Sequence, residues 1–206
     1  MISKRSATYL LAAGLLLGAV VLFAGLILSG RSASKYRPGF SCRNYRTESG
    51  ETVRYILFLP HVQDPAEPKP VLLFLNGFGE NGSDGISQLS NNLGQQIWDT
   101  RGRFPFILVA PQMTKDSAWT DPRSIVANAA PEIVRQVTGQ FAGDPDRVYL
   151  TGPSSGGSGT IALASRHPEM FAAIAPTDCG GLAPPFSPKN NLRDSASGIG
   201  VKRRNG

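Results

Sequence analysis

A serine with one glycine two places before it and another two places after it has the spacing of a covalent nucleophile. Ser154 stands so in Gly152-Pro153-Ser154-Ser155-Gly156. The spacing fits the nucleophile elbow, a sharp strand-to-helix turn that lifts the serine Oγ clear of the sheet while its glycines let strand and helix approach closely. Ser155 does not fit the pattern, because Pro153 occupies the place of its upstream glycine. The chemistry would be acyl transfer: Ser154 Oγ attacks a carbonyl carbon, and the backbone N–H of Ser155, at the start of the helix, donates to the oxyanion. The elbow needs a second donor from a glycine-rich loop after an earlier strand. Asn76-Gly77-Phe78-Gly79 is such a loop, after the apolar run Val71–Leu75.

Three other readings compete for the same glycines. A phosphate loop would need a lysine where Ser158 stands. A dinucleotide fingerprint would use Gly157-Ser158-Gly159-Thr160-Ile161-Ala162 with Asp178 about 20 residues on, but Gly152 to Ser155 separate that fingerprint from its strand. The third reading is a structural turn with no chemistry. An acyl-transfer site also needs a base, and the chain has two histidines, His61 and His167. His167 lies 13 residues after Ser154, on the same predicted helix, roughly 20 Å away at 1.5 Å per residue. Neither histidine is expected within hydrogen-bond reach. Asp178, at the end of the next predicted strand, is a candidate acid.

The elements that must hold these residues follow from the patterning. Strands are predicted at Glu51–Pro60, Val71–Leu75, Phe104–Gln112, Asp146–Gly152 and Phe171–Thr177, the last four as apolar runs typical of buried parallel strands. A weak helix is predicted over Ile86–Trp98, a second from the N-cap Asp121-Pro122 towards Phe141, and a third from Ser155 to about His167. Strands alternating with helices predict an α/β fold with a mostly parallel sheet. Trp98 and Trp119 could line a pocket or pack in the core.

The net charge of +6 lies at the ends: residues 1–50 carry +6, residues 51–182 carry −4 and residues 183–206 carry +4. A nucleic-acid surface would need a basic stripe on the body, so none is expected. Tyr9–Leu28 is 20 apolar residues behind Lys4 and Arg5, long enough to cross a bilayer. It is read as a membrane anchor or signal segment (1–30), with the remainder exported. Residues 31–50 read as a linker, 51–182 as the folded body and 183–206 as a basic, disordered tail. Cys42 and Cys179 could pair in an oxidising compartment or remain free thiols. No metal site and no cofactor are expected.

The stretches "VLLFLNGFGENG", "FPFILVAPQ", "DPDRVYLTGPSSGGSGTIALASRHPEMFAAIAP" and "CGG" resemble the α/β-hydrolase esterases related to poly(3-hydroxybutyrate) depolymerases and feruloyl esterases. The resemblance runs from about Thr52 to Gly181. It implies an α/β-hydrolase fold and serine-dependent cleavage of a small or polymeric carboxylic ester. By matching position it makes Ser154 the nucleophile and gives the oxyanion hole to the backbone amides of Phe78 and Ser155. The sequence departs from the family at Asn76, where histidine is usual, and at Pro153 and Ser155, where bulkier residues are usual. The family continues past "CGG" with two more strands carrying the catalytic aspartate and histidine, so the chain is read as truncated and impaired, with an open sheet edge beside Phe171–Thr177. The alternative is a non-catalytic, membrane-anchored pseudoenzyme that binds a ligand or partner protein.

Overall fold

The computed structural model describes residues 36–61, 64, 66–90 and 93–179. The anchor segment Tyr9–Leu28 and the tail from residue 183 lie outside the described residues. Among those that are described, no helix is long and apolar enough to cross a membrane.

Among the described residues six strands form one sheet: β1 (Gly39–Arg46), β2 (Thr52–Leu59), β3 (Lys69–Phe74), β4 (Ile107–Pro111), β5 (Gly143–Pro153) and β6 (Ala173–Thr177). Their spatial order is β1-β2-β4-β3-β5-β6. β3, β4, β5 and β6 run parallel, and β1 and β2 add an antiparallel flank. The continuous apolar runs are buried for the reason their pattern gives: helices cover both faces. On one face, helices α2 (Ile125–Gln140) and α3 (Ser155–Arg166) pack with Trp119 against Leu57, Leu73, Val109 and Leu150. On the other, α1 (Leu93–Thr100) and the short 3₁₀ turn Ser87–Leu89 cover Ile56, Phe58, Phe74 and Leu108.

Several expectations need correction. The expected linker 31–50 contains β1, which pairs with β2 from Gly39↔Leu59 to Arg46↔Thr52. A hairpin joins the two, with Gly50 at φ 95 and its N–H donating to Thr47 O at 3.0 Å. β1 is an edge strand, and an edge tolerates the arginines that made it read as a linker. The weak helix over Ile86–Trp98 resolves into the Ser87–Leu89 turn and α1. α2 starts later than Asp121-Pro122. Its N-cap is Ser124, whose Oγ accepts from Ala127 N at 3.2 Å, while Asp121 makes a local turn by accepting from Arg123 N at 2.9 Å.

β6, expected to be buried, has alternately exposed and half-buried residues and forms the sheet edge among the described residues. The two cysteines are free thiols. Cys42 is on β1 and Cys179 just beyond β6, at opposite edges of the sheet. Five strand spacings separate those edges by roughly 24 Å, far beyond the ~7 Å limit between bridged Cα atoms. Trp119 is a core residue, whereas Trp98 is half exposed on α1.

Candidate active site

β5 ends at Pro153 and α3 begins at Ser155, so Ser154 alone makes the turn. It adopts φ 52, ψ −119, a region where a residue with a side chain is strained by about 1–3 kcal/mol. Its side chain is exposed. Two backbone bonds hold the turn: Ser154 N donates to Thr177 O at 3.0 Å, and Ser154 O accepts from Ser158 N at 3.1 Å. Ser154→Gly is therefore expected to remove the candidate nucleophile and raise stability by about 1 kcal/mol or more. Thermal unfolding read beside covalent labelling checks both halves, and an unchanged or lower midpoint would mean the turn is unstrained.

The glycines act by contact. A Cβ on Gly152 would lie 2.4 Å from Leu75 O, and one on Gly156 would lie 2.1 Å from the same oxygen. Elbow and first helical turn are thus pressed against the end of β3. Gly157 and Gly159 lie inside α3, where a Cβ would meet Thr177 O at 2.5 Å and Trp119 Cβ at 2.2 Å. Helix packing explains both, and no loop exists there to cradle a diphosphate, which disposes of the dinucleotide fingerprint and the phosphate loop.

Close packing brings the second loop to the elbow. Gly77 sits where a Cβ would be 3.7 Å from Pro153 O, and Phe78 opens a 3₁₀ turn, Phe78–Glu80. Phe78 and Ser155 each occupy the first position of a helical segment, where the backbone N–H has no partner within the segment. Neither amide donates to a described residue. The positive end of α3 adds to the pull on an anion at this place.

Asn76, at the position where histidine is usual, is fully buried and holds the loop by four bonds. Its Nδ2 donates to Gly77 O at 2.7 Å and Asn81 Oδ1 at 2.8 Å, its Oδ1 accepts from Met113 N at 3.0 Å, and its backbone O accepts from Trp119 Nε1 at 2.9 Å. The sequence marks the departure at Asn76 but gives no sign that Trp119 and Met113 converge on it, because they lie 43 and 37 residues away.

Beyond the loop, Asp84 accepts from Ser87 Oγ, Ser87 N, Ile86 N and Gln112 Nε2. The Ser87 hydroxyl first, then the two amides, hold its carboxyl well below the usual carboxylate range. A depressed folded value means a stabilising contribution that is complete above the unfolded value of about 4 and fades as pH falls below it. Asp84→Asn is therefore expected to destabilise at neutral pH, with the gap from the parent closing below about pH 4. Unfolding midpoints across that range measure it, and a constant gap would contradict the assignment.

The two histidines are where the sequence puts them. His167 ends α3, with its N–H on Leu163 O at 2.9 Å and its imidazole held below the usual value by burial. His61 follows β2 at the opposite end of the sheet from the elbow. Asp178, at φ 47, follows β6 on the elbow's side of the sheet and is exposed, with no hydrogen bond to a described residue. Among the described residues no group of three or more His, Cys, Asp or Glu side chains could hold a metal ion.

Comparison with known proteins gives the class: residues 47–192 match the family described as "Putative esterase", and the chain belongs to that family. Among curated relatives it is 30% identical over 114 residues to "Putative esterase NocK" of Nocardia uniformis subsp. tsuyamanensis, covering 53% of this chain and 32% of that protein. It is 28% identical over 139 residues to "Feruloyl esterase B" of Neurospora crassa, covering 63% of this chain and 46% of that protein. A solved thermostable esterase superposes with a TM-score of 0.62 at 31% identity, over 69% of this chain and 42% of that one. The chain thus spans less than half the length of the curated relatives it matches.

Proposed function

We propose that this chain carries the nucleophile half of a carboxylic ester hydrolase. Ser154 Oγ attacks the ester carbonyl, and the amides of Phe78 and Ser155 take the developing oxyanion. The observation that carries the reading is the strained, exposed Ser154 between β5 and α3, with the Gly77–Phe78 loop pressed beside it. The substrate class is a carboxylic ester, small or polymeric.

Among the described residues no histidine lies near Ser154, since His61 and His167 are both away from the elbow, and Asp178 has no described histidine to orient. Loss of the base costs orders of magnitude even where the oxyanion donors survive. Little or no turnover is therefore expected from these 206 residues alone. Rapid hydrolysis of a p-nitrophenyl ester, abolished by Ser154→Ala, would contradict that. The distance of both histidines from the elbow favours a second reading, a non-catalytic domain that binds a ligand or partner. Slow acylation of Ser154 by an activated ester or phosphonate, seen as a mass increase on its peptide, supports the hydrolase reading. An inert Ser154 supports the second reading.

We further propose that Tyr9–Leu28 anchors the chain in a membrane with the esterase domain on the extracytoplasmic side. The support is the length of the apolar run and the two cations before it. Protease protection in sealed membrane vesicles tests the orientation.

A further inference from the structure

Two of the large exposed apolar side chains lie together. Ile86 is 63% exposed and Trp98 51%, and both line a groove of about 470 Å³ between α1 and the β1–β2 flank. Phe40, Ile56 and Leu89 complete its apolar wall. None of this surface belongs to the elbow: Phe40 and Ile56 are on the antiparallel flank, three or four strands from β5 in the sheet. At the groove's rim, Arg101 lays its guanidinium 4.4 Å from the centroid of the Trp98 ring and is exposed, as is Arg103. Asp99 is the acidic neighbour on α1 and is engaged by Gln95 Nε2 at 2.8 Å.

A tryptophan backed by arginine beside aliphatic side chains suits the zone between lipid headgroups and acyl chains. There the indole is half in hydrocarbon and the guanidinium reaches anionic headgroups. The sequence supplies proximity. The apolar run ends at Leu28, and β1, whose Phe40 lines the groove, begins at Gly39. The connecting chain spans at most about 40 Å, so an anchor there would confine the groove to the membrane's vicinity. Basic Arg31, Lys35 and Arg37 lie along the same connection.

We propose that this groove is a membrane-docking face, which seats the domain on an anionic bilayer through Trp98, Ile86 and Arg101. The proposal rests on the anchoring reading above. The chain's two tryptophans allow a direct test, because Trp119 is 1% exposed and serves as an internal reference. The full chain is reconstituted into phosphatidylglycerol–phosphatidylcholine vesicles with plain or brominated acyl chains, bromine being a contact quencher. Docking predicts that brominated lipid removes about a third to a half of the tryptophan emission. The loss should vanish in Trp98→Phe and shrink in Arg101→Glu. A chain that floats with the vesicles but emits equally in both lipids overturns the docking face and leaves the anchor standing. A chain that does not float overturns both. A dimer in detergent that Trp98→Ser disperses, without quenching in vesicles, overturns docking in favour of a second copy of the chain.

Discussion

Gly156→Ala is expected to cost about 3 kcal/mol or more and to leave the site unassembled. Alanine is intrinsically the better helix former by about 1 kcal/mol, so at an open position in α3 the change would stabilise. Here the new methyl would sit 2.1 Å from Leu75 O and 2.8 Å from Asn76 O. Both are backbone atoms fixed by the sheet and by the Asn76 network, so neither can turn aside. Overpacking typically costs 1–3 kcal/mol, occasionally more, and a contact this short belongs at the upper end. The only relief is to push α3 away from β3, which separates the Ser155 amide from the loop carrying Phe78. Gly139, in α2, is the control: nothing lies within 4 Å of its would-be Cβ, so Gly139→Ala should be neutral or stabilising by up to about 1 kcal/mol. Denaturation midpoints of the two variants, measured side by side, decide whether close approach or helix propensity governs these glycines. Equal effects would refute the contact argument.

Trp119→Ala is expected to cost about 3–5 kcal/mol, the usual range for deleting a large buried ring. The ring is almost wholly buried, packs over Gly159 and donates from Nε1 to Asn76 O. Trp119→Phe separates the two roles. It keeps most of the volume but leaves the buried Asn76 O without its donor, a loss of about 1–3 kcal/mol. If the hydrogen bond positions the oxyanion loop, Trp119→Phe should also slow acylation of Ser154 by an activated ester beyond what its stability loss explains. An acylation rate equal to the parent's would make Trp119 a packing residue only.

How far the sequence reveals this molecule depends on the distance over which its signals act. The elbow is local: five consecutive residues and the apolar strand before them foretell its turn. The parallel strands are also legible, because burial on both faces leaves an unbroken apolar run such as Val71–Leu75. β1 is not legible, since an edge strand with Arg43 and Arg46 has the composition of a linker and only the Gly50 turn betrays the hairpin. The start of α2 is ambiguous in sequence because Asp121-Pro122 and Ser124 both carry capping chemistry, and only Ser124 receives the amide of Ala127. The hub at Asn76 draws on partners from separate segments, and no spacing rule joins residues 76, 81, 113 and 119. Trp98 and Trp119 look alike in sequence, and burial alone separates them.

The direction of β1 has a practical meaning. β1 is antiparallel to β2, and β2 to β4, so the chain enters the domain at the end of the sheet where β4 begins. Ser154 lies at the other end, past the last residue of β5. An eight-residue strand such as β1 spans roughly 25 Å between those ends. Attachment and chemistry are therefore modular in this fold. Whatever precedes Tyr36, whether an anchor, an affinity tag or a carrier domain, joins at the end remote from the elbow and can be exchanged without reshaping it.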